Sequence, residues 1–232
     1  MSKPLIVVTG KNGQLGSELQ LIAPSFDAQY DFLFADRAVL DLSSNDSIDK
    51  FCAVHHPAVV INCAAYTAVD RAESEPDRAH MVNAAAPELL AIEAEKLGAA
   101  LIHFSTDYVF EGRGETPWSE TDNPKPLSVY GKAKLEGEQK VLQACARAFI
   151  LRTSWVYSAG GHNFLKAILR AAQARETLEV VDDQVGSPTG ADLVAAMTQK
   201  IIERRTDIEP GVYHLAASGY VSWFDYAAHI VA

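Results

Sequence analysis

Tyr130 and Lys134 stand four residues apart in Ser128-Val129-Tyr130-Gly131-Lys132-Ala133-Lys134, a segment that reads helical through to Ala146. That spacing puts both side chains on one helical face. A phenol ordinarily gives up its proton near pH 10. An ammonium one turn away favours the phenolate and brings that value toward neutrality, as general acid–base work requires. Upstream, Ser105-Thr106-Asp107 places a hydroxyl, Thr106, at a strand end where it could hold a substrate oxygen beside the phenol. Tyr-x-x-x-Lys by itself is more often a surface helix with an ordinary tyrosine and a solvated lysine, so the elements that would position it must decide.

The start of the chain supplies them. Leu5-Ile6-Val7-Val8-Thr9 is a continuous apolar run, the pattern of a strand buried on both faces of a parallel sheet. Gly10-Lys11-Asn12-Gly13-Gln14-Leu15-Gly16 follows at once and opens a helix that continues from Ser17 to Ile22. Glycines at such a turn let the backbone approach a pyrophosphate seated on the positive helix end. A second strand, Asp31 to Ala35, ends at Asp36, whose carboxylate can accept bonds from the adenosine ribose of NAD. Arg37 comes next and could meet the extra phosphate of NADP, so both NADH and NADPH are expected.

Further strands are expected at Ala58 to Cys63, Leu101 to Ser105 and Phe149 to Thr153. Helices are expected over Asn45 to His56, capped by Asn45 or Asp46 and stopped by Pro57, and from Glu75-Pro76 to Leu97, ending at Gly98. Glu111 to Lys125 is rich in Gly, Pro and charge and reads as a loop. This alternation predicts an α/β fold with a doubly wound parallel sheet, whose ligand lies outside the carboxyl ends of the strands. Asn62-Cys63-Ala64-Ala65 and Ser105-Thr106 both fall there, with Ala64 and Ala65 small enough for a cofactor to lie against the backbone. A nicotinamide, a hydroxyl and an activated tyrosine together are what ketone reduction by hydride needs.

Beyond Trp155 the rhythm changes to a helix from Asn163 to Arg175, a strand near Leu178 to Val181, a helix from Ala191 to Arg204 and a short strand from Val212 to Leu215. We divide the chain into a dinucleotide-binding domain, residues 1–154, and a smaller substrate region, 155–232, partly interleaved with it. The abrupt stop at Ala232, inside an amphipathic pattern of Trp223, Phe224, Ala227 and Ile230, suggests a truncated chain.

The bulk numbers narrow the classes. The 232 residues carry 30 acidic and 20 basic side chains, a net charge of -10, which argues against nucleic acid or an anionic membrane as a partner. Cys52, Cys63 and Cys145 form no C-x-x-C pair and read as buried, reduced thiols, and no H-E-x-x-H occurs. With no signal peptide and no run of the roughly 18 apolar residues a membrane span needs, a cytoplasmic location is expected.

The residues resemble a known family. Thr9-Gly10 with the glycine triplet, Asn62-Cys63-Ala64-Ala65 and Tyr130-x-x-x-Lys134 resemble the extended short-chain dehydrogenase/reductases with their Rossmann-type domain. Longer strings narrow this to the dTDP-4-dehydrorhamnose reductase family: Ala64-Ala65-Tyr66-Thr67-Ala68-Val69-Asp70-Arg71-Ala72-Glu73, Ser105-Thr106-Asp107-Tyr108-Val109-Phe110, Arg152-Thr153-Ser154-Trp155-Val156-Tyr157 and Asp183-Gln184-Val185-Gly186-Ser187-Pro188-Thr189-Gly190. The resemblance covers essentially the whole chain. It implies NAD(P)H-dependent reduction of a 4-keto nucleotide sugar, catalysed by Thr106, Tyr130 and Lys134. It implies cofactor contacts from Gly10, Asn12, Gly13, Gln14, Leu15, Gly16, Asp36, Arg37, Asp41, Leu42, Ala64, Ala65, Tyr66, Tyr130 and Lys134. Thr106, Asp107, Tyr108 and Trp155 would border the sugar. It also implies a magnesium ion joining two subunits through carboxylates, for which Glu18 and the shorter Asp192 stand at the matching positions, and hence a homodimer. Two alternatives keep the same residues: another nucleotide-sugar reductase or epimerase of this family, and a non-catalytic regulatory subunit that binds the dinucleotide.

Overall fold

The computed structural model describes residues 3–26 and 28–232. In chain order the first half holds β1 (Leu5–Thr9), α1 (Gln14–Ile22), β2 (Asp31–Ala35), α2 (Asn45–His55), β3 (Val59–Asn62), α3 (Val69–Ala72), α4 (Pro76–His80) and α5 (Ala86–Leu97). The second half holds β4 (Ala100–Thr106), α6 (Val129–Ala144), β5 (Ala148–Thr153), β6 (Val156–Tyr157), α7 (Phe164–Ala174), β7 (Val185–Gly186), β8 (Thr189–Gly190), α8 (Ala191–Arg204), β9 (Gly211–His214), β10 (Val221–Ser222) and α9 (Trp223–Val231).

Six strands form one parallel sheet in the order β2-β1-β3-β4-β5-β9. Apolar residues on both faces of each strand bury the sheet between two helical layers. On one face Val7, Val60, Leu101 and Ile150 pack against Ile48 and Phe51 of α2, Leu90 of α5 and Val141 of α6. On the other, Ile6, Val8, Ile61, Ile102 and Leu151 pack against Leu19 of α1 and Ala195 and Ile202 of α8. The doubly wound sheet read from the sequence is therefore the one observed. Its direction of winding reverses between β1 and β3, the place where an open sheet leaves a crevice for ligand.

Four local expectations change. The cap of α2 is Ser44, which accepts from the Ser47 N–H, rather than Asn45 or Asp46. The expected helix from Glu75 to Leu97 is interrupted by a π-helical turn, Met81–Ala85, between α4 and α5. Pro87 explains it, because a proline ring clashes with the carbonyl four residues back, here that of Asn83, and the wider turn makes room. Leu178 to Val181 is not a strand. Leu178 and Val180 do alternate with the exposed Glu179, yet among the described residues no strand runs beside them, and the ladder forms instead between β7 and β10. Val212 to Leu215 was expected within a substrate-covering region; as β9 it joins β5 as the sixth strand of the main sheet.

Candidate active site

The glycine turn sits at the β1/β3 crevice. Gly10 takes φ +67°, and a Cβ there would come within 2.8 Å of the Ala64 nitrogen, so only glycine lets the two loops meet. Gly13 caps α1 without any side-chain bond, and Gly16 is buried behind it. The first-turn N–H groups of α1 therefore have no side-chain partner at the cap, a cradle suited to a dinucleotide pyrophosphate. Asn12 is exposed beside it, while Leu15 turns its side chain into the core.

Several expected cofactor contacts are already engaged with protein. Asp36 pairs with Lys11 at 2.8 Å and accepts from the Ala38 and Val39 N–H groups, and the Lys11 bond leads in holding its carboxyl below the usual range. Arg37 lies 3.5 Å from Asp41, which also accepts from Ser43, and Leu42 packs on the core. Gln14 reaches across to the second half of the chain, donating to the Val156 carbonyl at 3.2 Å and accepting from Asn163 at 2.8 Å. Beyond β3, Ala64 is half-buried, Ala65 is exposed, and Tyr66 is clamped at both backbone groups by the buried Asn83 at 2.9 Å.

Tyr130 and Lys134 occupy the first two turns of α6, started by Ser128, whose hydroxyl accepts from the Gly131 N–H. Gly137 brings that helix unusually close to the π turn, since a Cβ there would lie 2.1 Å from the Asn83 carbonyl oxygen. Tyr130 is thereby buried, with the Tyr108 ring set edge-on at 5.6 Å. Thr106 ends β4; its hydroxyl donates to the Asp107 carboxylate at 3.0 Å and accepts from the Tyr108 N–H at 3.2 Å.

The Tyr130 pKa is raised, not lowered as the spacing to Lys134 predicts. Burial pushes the phenol above its ordinary value, opposed by the Thr106 hydroxyl and reinforced by Asp107 and Tyr108. Lys134 does not offset that shift, since its ammonium is lost at about 8, before the phenol ionises. Its own ammonium is buried, donates to the Phe104 carbonyl at 2.6 Å and meets His103 Nε2 at 3.2 Å. Burial brings it down to about 8, with Glu138 opposing. Desolvation outweighs the neighbouring charge for both groups.

Asp107 and Tyr108 flank the trio, and burial raises the pKa of each. Trp155 lies at the far end of β5 in a left-handed conformation, φ +48°, stacked flat on Trp223 with ring centroids 3.4 Å apart. Glu18 and Asp192 stand on α1 and α8, which pack together. Among the described residues no three His, Cys, Asp or Glu side chains group closely enough to hold a metal.

Residues 4–232 match the RmlD substrate binding domain. This chain belongs to that family. The RmlD-family relatives include dTDP-4-dehydrorhamnose reductase of Escherichia coli K12, 45% identical over 227 residues, covering 96% of this chain and 76% of that protein. Among solved structures, dTDP-4-dehydrorhamnose reductase from Bacillus anthracis in complex with NADP superposes with a TM-score of 0.93 at 38% identity, covering 99% of this chain and 80% of that one. The Yersinia enterocolitica reductase does so with a TM-score of 0.88 at 33% identity, covering 97% and 79%.

Four residues at the site escaped the sequence reading. Lys11 was visible inside the glycine motif but carried no signal of its ion pair with Asp36. Asn83 lies inside a helix pattern, Glu138 stands four beyond Lys134 on a helix, and His103 is a lone histidine in an apolar strand. A lone buried histidine in a strand is a usable signal, because an imidazole at that depth needs partners.

Proposed function

We infer that this chain reduces the 4-keto group of dTDP-4-dehydro-6-deoxy-L-mannose (dTDP-4-dehydrorhamnose) to dTDP-L-rhamnose, using NADPH or NADH. The observation that carries the reading is the approach of Thr106, at the end of β4, to the buried Tyr130 of α6, in an RmlD-family fold. The bound dinucleotide supplies a hydride to C4 of the sugar. Tyr130 donates its phenolic proton to the oxygen of the developing alkoxide, and the raised pKa keeps that proton in place at neutral pH. Thr106 holds the same oxygen by turning its hydroxyl from Asp107 toward the substrate. Lys134 favours the phenolate left behind. The Gly10–Gly16 turn and the first turn of α1 take the pyrophosphate; Asp36, Arg37, Asp41 and Leu42 lie toward the adenosine, and Ala64, Ala65 and Tyr66 toward the nicotinamide half. Asp107, Tyr108 and Trp155 border the sugar. Residues 1–154 bind the dinucleotide and 155–232 cover the substrate, with β9 crossing back into the sheet.

No described helix is long and apolar enough to cross a membrane. Three free cysteines whose thiols burial pushes up support a reducing cytoplasmic location. Exposed Leu21, three residues beyond Glu18, and exposed Leu193 and Met197, one turn apart on α8, support a homodimer formed through the α1–α8 face. The test is oxidation of reduced dinucleotide with dTDP-4-dehydrorhamnose made in place. Tyr130→Phe is expected to lower turnover roughly 10²–10⁴-fold while retaining dinucleotide affinity. Full turnover by that variant would sink the role given to Tyr130.

A further inference from the structure

Thr9, Asn62 and His103 form one row across three adjacent strands, since Thr9 is the register partner of Asn62 and Asn62 that of His103. Ala35 and Ile150 continue the row on either side, so the polar part ends with these three. All three are essentially excluded from solvent, and groups at that depth must satisfy one another.

The bonds along this row have a direction. The Ala64 N–H donates to Thr9 Oγ1 at 3.3 Å. The Thr9 hydroxyl needs an acceptor of its own and finds Asn62 Oδ1 at 2.7 Å. With its oxygen turned to Thr9, Asn62 presents Nδ2 as a donor to His103 Nδ1 at 3.0 Å. A ring nitrogen that accepts carries no hydrogen, so the neutral imidazole bears its proton on Nε2. That nitrogen faces Lys134 Nζ at 3.2 Å, while Nζ also donates to the Phe104 carbonyl.

We propose that His103 is a positioning residue for Lys134: Thr9 and Asn62 lock it in the Nε2–H tautomer, whose N–H favours the neutral amine of Lys134 over the ammonium. An ammonium has only donors and sets N–H against N–H, whereas an amine offers Nε2–H a lone pair. Burial and the Lys134 charge hold His103 well below the ordinary histidine range, so it stays neutral. Among the described residues the charge that acts on Lys134 is Glu138, on its own helix and tied to Arg152 of β5. The proton state of the catalytic lysine is thus coupled to a backbone N–H of Ala64, at the dinucleotide crevice. The kinetic consequence rests on the reading of Lys134 given above; the tautomer does not.

Nitrogen-15 NMR of histidine-labelled protein tests the tautomer without turnover. His103 is expected as a neutral Nε2–H ring from about pH 6 to 9; an Nδ1–H ring or an imidazolium in that range overturns the proposal. Asn62→Asp then supplies a side chain that only accepts, from Thr9 and from His103 Nδ1–H, which reverses the tautomer. The Lys134 titration, followed by its ε-carbon shift, is expected to move up by about one unit or more, and the alkaline limb of kcat should move with it while the KM for dinucleotide changes little. Thr9→Val, which frees Asn62 to rotate without adding charge, should move it the same way if the aspartate variant does not fold. A reversed tautomer with an unmoved Lys134 titration overturns the link between the two. Absence of turnover in the unmodified protein, with the expected NMR shifts, counts against the reductase reading alone.

Discussion

At Tyr130 the buried ring penalises the phenolate, and the Asp107 charge penalises it further, so the phenol keeps its proton through neutral pH. Ketone reduction consumes that proton, and the developing alkoxide is basic enough to take it from a phenol whose pKa is raised. Lys134 sets the alkaline limit. Its pKa is lowered to about 8, so the cation is present below that pH and lost above it. Turnover in the reductive direction should therefore fall as pH rises through about 8, when the phenolate left by proton donation loses its cationic support. A pH–rate profile of kcat with saturating dinucleotide checks this, and Lys134→Met should abolish that limb as well as lower the rate. A profile flat across that pH would remove Lys134 from the proton step.

At the scale of elements, two of the contacts that hold α6 against the rest of the site can be tested directly. The first is the approach of Gly137 to the Asn83 carbonyl, made possible by the π turn that Pro87 imposes. Gly137→Ala would push α6 away from that turn. The expected result is a loss of about 1–3 kcal/mol in denaturant unfolding, with a fall in kcat larger than any rise in KM, because Tyr130 moves with the helix. The second is the buried pair between Glu138 of α6 and Arg152 of β5, joined by bonds of 2.9 and 2.6 Å. Glu138→Gln leaves the guanidinium buried without a counter-charge and should cost about 3–5 kcal/mol. Combining it with Arg152→Met should recover much of that loss, since the apolar replacement has no charge to strand. Non-recovery in the double variant would show that the pair acts through packing on Phe110, over whose ring Arg152 lies at 5.1 Å.

Across the whole molecule, the dinucleotide turn and the later chain are connected by Gln14, whose amide ties the start of α1 to residues 156–163. Gln14→Ala cuts these bonds and leaves the glycine turn itself unchanged. The expected outcome is faster proteolytic cleavage within 156–163 and a higher KM for the nucleotide sugar, with dinucleotide affinity altered less than about threefold. Equal weakening of both ligands would indicate that Gln14 acts on the pyrophosphate directly.

The doubly wound sheet, the glycine turn and the Thr106, Tyr130 and Lys134 positions were legible in the order of residues, because apolar runs, strand-ending glycines and a four-residue helical spacing depend on local geometry alone. The strand expected at Leu178 to Val181 failed because alternation marks a half-buried face but cannot supply a neighbouring strand. The direction of the Tyr130 shift was misread for a related reason. Sequence spacing brought Lys134 within a turn of it, whereas depth of burial and the competing partners His103 and Phe104 come from β4. The sequence by itself determined which groups are available for chemistry and on which elements they ride. Only the tertiary structure decided their proton states and partners, because those depend on desolvation and on hydrogen bonds between strands distant in the chain.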